Sequence, residues 1–153
     1  MDTIAIFSAK YLLFANVFIA GAVAKMVPRE QLKHYAAFAL STLGIAFVIS
    51  RIAGHFYFDP RPFVIGNFTP LISHVVDNGF PSDHTLAAAA LAVAVFPFSK
   101  KAAGAAIAIA LAVGAARVYV GVHHWIDIVG SVGIAIAAGL AAHAAIAAYK
   151  RFR

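Results

Sequence analysis

The sequence predicts an all-α polytopic membrane protein, a bundle of about five transmembrane helices with an outer loop lying in the interface, and three observations predict it. Hydrophobic residues make up 63% of the chain and charged residues only 12%, with a mean hydropathy of +0.88. A soluble globule does not carry that composition. The apolar residues fall in runs, several of them close to the roughly twenty that cross a hydrocarbon core. The basic residues gather at the ends of those runs, a topology signal rather than a nucleic-acid footprint despite a formal charge of +6. At 153 residues the chain reads as a single domain, 1–153.

The first segment runs from about Ile4 to Met26, with Lys10 as its only charge before Lys25. Asp2 stands where a secretory signal would carry basic residues, so this run is expected to be retained. The second runs from about Tyr35 to Ile52. Between them Val-Pro-Arg-Glu-Gln-Leu-Lys-His, residues 27–34, reads as a polar turn in which Pro28 discourages the helix from running on. The third segment, about His84 to Phe98, is short for a crossing but can begin inside the interface. The fourth runs from Ala102 to about Tyr119 and the fifth from Trp125 to about Tyr149, both dense in the small residues that let helices approach closely.

If the segments alternate, one side holds Lys25, Arg29, Lys33, Lys100, Lys101, Lys150, Arg151 and Arg153. The other holds Arg51, Arg61 and Arg117, with Lys10 near the N-terminus, and collects Asp2, Asp59, Asp77, Asp83 and Asp127. The positive-inside rule makes the first side cytoplasmic, with the C-terminus on it, and turns the acidic side outward. The long connection from Ala53 to Asp83 lies on that outer side. It is rich in Phe and Tyr, and is expected to rest in the interface as part of a lipid-accessible site.

Three stretches on the outer side carry chemistry. Ala116 to Asp127 places Arg117, His123, His124 and Asp127 between two apolar runs, with His123 and Asp127 four apart on one helical face. A carboxylate there fixes an imidazole's tautomer and prepares its far nitrogen as base or nucleophile. Snorkelling by Arg117 and interfacial anchoring by His-His-Trp are the bland alternative. Asp59-Pro60-Arg61-Pro62 stiffens the chain around Arg61, and Phe80 to Thr85 opens a helix at Ser82, Asp83 and His84. A helix start offers free N–H groups to an anion, although Ser82 or Asp83 also serves as an ordinary cap. Taken together, two arginines, a helix start and two histidines suit phosphoryl transfer, one histidine attacking phosphorus and the other protonating the departing oxygen. A metal held by these histidines with Asp127 and Asp83 is the chemical rival. The two fixed positive charges argue against it. With no cysteine, thiolate chemistry is excluded.

These stretches resemble the type 2 phosphatidic acid phosphatase (PAP2) superfamily, whose motifs are K-x6-R-P, P-S-G-H and S-R-x5-H-x3-D. Arg61-Pro62, Pro81-Ser82-Asp83-His84 and Arg117-x5-His123-x3-Asp127 match in order and spacing. Within the superfamily, Phe-Tyr-Phe-Asp-Pro-Arg-Pro-Phe-Val followed by Asp-Asn-Gly-Phe-Pro-Ser-Asp-His-Thr looks most like bacterial undecaprenyl pyrophosphate phosphatases of the bacitracin-resistance type. The resemblance implies that His123 is the nucleophile, forming a phosphohistidine, that Asp127 orients it, and that His84 is the acid. It implies that Arg61, Arg117, Ser82 and nearby backbone N–H groups hold the phosphoryl group, and that no metal or cofactor is required. Spacing alone would also allow His124 against Asp127, and only the family pattern selects its neighbour. Three positions depart from the pattern. Gly54 stands in place of the first-motif lysine, Asp83 in place of the second-motif glycine, and Ala116 in place of the third-motif serine. Arg51, about one turn before Gly54, is the expected substitute cation. Asp83 would repel phosphate unless it turns away or pairs with an arginine. His55 and His74 are expected to shape the outer pocket at most, and His143 to be a buried histidine with a local partner.

The expected substrate is a lipid diphosphate, and the expected surroundings a bacterial plasma membrane, with no nucleic acid and no obligate protein partner. Phosphatidylglycerophosphate, phosphatidic acid and a lipid A phosphate are alternative substrates. A small proton-coupled transporter using the His-Asp pair is the rival from another class, and a non-catalytic scaffold leaves the three stretches unexplained.

Overall fold

The computed structural model describes residues 1–151, so Arg153, counted above with the cytoplasmic charges, lies outside them. The described chain is helical apart from its connections: α1 (Asp2–Tyr11), α2 (Leu13–Met26), α3 (Arg29–Phe56), α4 (Pro62–Ile65), α5 (Asp83–Val95), α6 (Lys100–Tyr119) and α7 (Trp125–Arg151). Three of these helices, α3, α6 and α7, are long and apolar enough to cross a membrane, and α1 with α2 qualify as a pair bent by 47°. The expectation of about five crossings is therefore met in part. The first segment is broken at Leu12, and the third, α5, has only 13 residues.

This short helix is also the central one. α5 packs against α2, α3, α6 and α7, and Leu86, Ala88, Ala89, Ala90, Ala92 and Ala94 along it are buried. A helix that is apolar all round belongs in a core, and alanine at these positions costs no side-chain entropy. Gly139 of α7 lies where a Cβ would overlap Val93 of α5, so the two backbones approach closely. Asn16 of α2, fully buried, donates through Nδ2 to the carbonyls of Ala88 and Ala106 at 2.9 Å each, tying α2 to α5 and α6.

Direction alternates through the bundle. Val23, Tyr35, Val95 and Ala103, from the end of α2, the start of α3, the end of α5 and the start of α6, form one cluster. At the opposite end the last turn of α3, the first of α5, the last of α6 and the first of α7 come together, and Tyr119 donates to Asp2 at 3.0 Å. The polar turn between the first two segments is shorter than its sequence suggested. Pro28 stands just before α3, and Arg29 to His34 are already helical, because proline stops the preceding helix yet suits the start of the next.

The long outer connection is laid across the link between α6 and α7. Leu71 N–H donates to Val120 O at 3.0 Å, and Ile72 is buried with Ala9, Ala116, Val120 and Val122. Phe68 sits against Gly121, whose φ of +82° is a left-handed conformation that favours glycine.

Candidate active site

The three stretches meet. A cavity of about 480 Å³ at the α3/α5/α6/α7 end is lined by Arg51, Arg61, Asp83, His84, Arg117 and His123 among others. Each arrives from a different piece of local structure. Arg61 immediately precedes Pro62, which starts α4 with its φ fixed by the ring. His84 lies on the first turn of α5, Arg117 in the last turn of α6, and His123 in the link before α7.

His123 is buried, and its two ring nitrogens face different things. Nδ1 donates to Asp127 Oδ2 at 3.1 Å, which leaves Nε2 as the acceptor nitrogen on the cavity side, 3.3 Å from Arg117 Nη2. Arg61 Nη1 is 3.2 Å from Nδ1 and 3.0 Å from Nε2. An atom that near to both nitrogens lies over the ring face and not in its plane, so Arg61 stacks on the imidazole. Burial, with Arg61 and Arg117 alongside, pushes the His123 pKa below its ordinary 6.5, against the opposing pull of Asp127.

Both inner arginines are held. Asp77 Oδ1 accepts from Arg61 Nε at 2.9 Å and is 2.8 Å from its Nη2, and Val122 O accepts from Nη1 at 3.0 Å. Arg117 Nη2 donates to His74 Nε2 at 3.1 Å. Burial, followed by Arg61, lowers the His74 pKa as well. Arg117 Nε and Asp127 Oδ1 are buried without a hydrogen-bond partner among the described residues.

Arg51, on a helix that runs on past Gly54, reaches the cavity wall and pairs with Asp83. Asp83 thus takes the second of its two options, pairing with an arginine. Gly54 is tightly covered, since a Cβ there would stand 3.0 Å from Phe80 O, so a lysine at this position would need the Phe80 backbone to give by a few tenths of an ångström. Two expected phosphate-site residues do not line the cavity. Ser82 is fully buried, its Oγ accepting from Thr85 at 3.1 Å and its carbonyl from Ser131 at 3.0 Å, and Pro62 opens α4 directly after Arg61. His55 and His74 both line it. His143 is far from it and exposed on α7, not buried as expected, because that helix turns this face away from the bundle.

Asp77, Asp59 and Asn78 are the residues that sequence reasoning missed. Asn78 donates to the carbonyls of Gly54 and Tyr57 and accepts from the N–H groups of Asp59 and Phe80, saturating its amide and fixing the loop to the end of α3. Asp59 Oδ2 accepts from His124 Nδ1 at 2.7 Å, while His124 N–H donates to Asp127 Oδ2 at 2.9 Å. Asp59, His124 and Asp127 are close enough to share a cation, but these contacts already serve them as hydrogen bonds. Their sequence signal was slight: an acid beside Arg61, and an Asp-Asn-Gly triplet of turn-forming residues.

The PAP2 superfamily profile matches residues 35–151. The chain is 34% identical over 140 residues to undecaprenyl-diphosphatase BcrC of Bacillus subtilis, covering 91% of this chain and 72% of that protein. It is 28% identical over 92 residues to the bacitracin transport permease protein BcrC of Bacillus licheniformis, covering 60% of this chain and 45% of that protein. Among solved structures, the PAP2-type phosphatidylglycerolphosphate phosphatase of Bacillus subtilis superposes with a TM-score of 0.68 at 23% identity, over 99% of this chain and 79% of that one. LpxE of Aquifex aeolicus gives 0.65 at 20% identity, over 84% and 85%. These two likenesses concern the fold.

Proposed function

The chain belongs to the PAP2 superfamily of membrane phosphatases, and on that premise we propose that it hydrolyses a polyprenyl diphosphate, converting undecaprenyl diphosphate to undecaprenyl phosphate and phosphate. The observation that carries the reading is His123 Nε2 opening on a cavity beside two arginines, with Asp127 behind Nδ1. The substrate is favoured by the Bacillus subtilis relative, whose name is undecaprenyl-diphosphatase.

In this mechanism Arg61 and Arg117 take the non-bridging oxygens of the terminal phosphoryl group. Nε2 attacks phosphorus, an N–P bond forms, and the bond from phosphorus to the bridging oxygen breaks. His84 gives its proton to the departing lipid phosphate. Asp127 stabilises the positive charge that the ring gains and keeps Nδ1–H in place. Water, losing its proton to His84, then attacks the phosphohistidine, the N–P bond breaks, and phosphate leaves. Pro62 presents Arg61, Ser82 anchors the start of α5, and Arg51 is a further phosphate contact. The cavity faces outward and the C-terminus is cytoplasmic, a reading supported by the bias of basic residues. Five crossings result if bent α1–α2 counts as one and α5 spans with its following turn; the alternating helix directions support this count.

The test is phosphate release from undecaprenyl diphosphate by purified protein with chelator present, beside His123→Ala. The natural protein should turn over and trap an acid-labile phosphoenzyme on rapid quenching. The variant should fall by about 10⁴-fold or more, as loss of a nucleophile does. The Bacillus licheniformis relative carries a transporter's name; a transporter would release no phosphate in this assay.

A further inference from the structure

We propose that the Arg51–Asp83 ion pair is a displaceable gate by which the site prefers a lipid diphosphate to a lipid monophosphate. This rests on the phosphatase reading above and adds to it the residues that read the second phosphate.

The pair stands at a junction. Arg51 and Asp83 line the polar cavity, and both also line an apolar groove of about 420 Å³ that continues between α3 and α5 past Phe47 and Leu86. A substrate with its terminal phosphoryl at His123 and its hydrocarbon among apolar side chains can pass from one to the other at this point. What it places there depends on its chemistry. A diphosphate places its second, charged phosphate; a monophosphate places an ester oxygen and the first methylenes.

The three arginines differ in how they are held. Arg61 and Arg117 are 5% and 4% exposed, and each is fixed by the partners described above. The side chains of Arg51 and Asp83 are 54% and 67% exposed, and an ion pair that open contributes little to stability. Arg51 also lies over the Phe47 ring, 5.2 Å from its centroid, so its guanidinium has an alternative resting contact on the groove wall. A phosphate arriving between the two repels Asp83 and offers Arg51 a two-pronged partner. The exchange opens the passage and supplies the cation that Gly54 cannot carry. A monophosphate brings no charge to break the pair, and its methylenes must lie against a closed ion pair.

Farnesyl diphosphate and farnesyl phosphate share one chain and separate the two cases. For the natural protein the ratio of kcat/KM on the diphosphate to that on the monophosphate should be large, and Arg51→Ala should lower it by about 10-fold or more. Arg51→Lys should restore part of the ratio. Asp83→Asn should lower KM for the diphosphate, because Arg51 no longer has to be released, and adding it to Arg51→Ala should change the ratio little further. A ratio within about 2-fold of the natural one in Arg51→Ala, or a raised diphosphate KM in Asp83→Asn, would overturn the gate while leaving the phosphatase intact. No turnover of either compound by the natural protein would overturn the phosphatase reading, and the gate with it.

Discussion

The two ends of this bundle are built from different interactions. At the end away from the cavity, Tyr35 meets Phe98 edge to face at 4.9 Å, its hydroxyl donates to Ala20 O at 2.8 Å, and Val23, Val95 and Ala103 close round them. Among the described residues nothing there is charged and buried. At the cavity end Arg61, Arg117, His123 and Asp127 are all buried, and each is oriented by another polar group. Ring packing gives one end its stability, while the other spends burial on holding charge in a fixed arrangement. The difference teaches that activity and stability should respond to different substitutions.

The largest separation is expected from Asp127→Asn. An amide can present N–H where the carboxylate accepted, so the tautomer of His123 is no longer dictated, and kcat should fall by about 10³-fold or more with helix content by circular dichroism unchanged. Next comes Gly79→Ala, whose methyl would stand 2.9 Å from Asp59 O and 3.1 Å from Asp127 Oδ2. A shift of either acid carries the imidazole pair with it, and kcat should drop by about 10- to 100-fold. Smaller is the pH effect. Because the His123 pKa lies below 6.5, the neutral, nucleophilic ring persists as pH falls through that value, and the acid limb of kcat/KM should lie below it. A limb above 6.5 would mean that Asp127 outweighs burial and the arginines. The smallest change in turnover is expected from Tyr35→Phe at the other end, which should cost about 1 kcal/mol of stability, read as a lower unfolding midpoint, with kcat unchanged. If kcat fell together with the midpoint, the two ends would not be independent and the comparison would break.

Much of this arrangement was legible in the chain because it depends on local spacing. His123 and Asp127 fall four apart, Arg61 abuts a proline, and Asp83–His84 open an apolar run; the short separation keeps His123 within reach of Asp127 even though it stands in the link before α7 and not on the helical face the spacing predicts. The loop partners were not legible. Asp77 reaches Arg61 across 16 residues, and Asp59 reaches His124 across 65, and no periodicity relates such positions. In the sequence Asp77 reads only as a charge on one side of the membrane, Asp59 as that and as a neighbour of Arg61, and His124 as an alternative to His123 that only the family pattern sets aside. The break at Leu12 was hidden for a related reason: Ala9 packs with Ala116 and Ile72 while Asn16 bonds α5 and α6, so tertiary contacts set the bend within one continuous apolar run.

The way the outer connection rests on the α6–α7 link has a practical consequence. Phe68 pressing on Gly121, and the Leu71–Val120 hydrogen bond, make that short link a hinge pin between a half-exposed ring and the imidazole. Loss of that contact would unseat His123 before any long helix melted, so catalysis rests on the seating of a loop that helix content would not register.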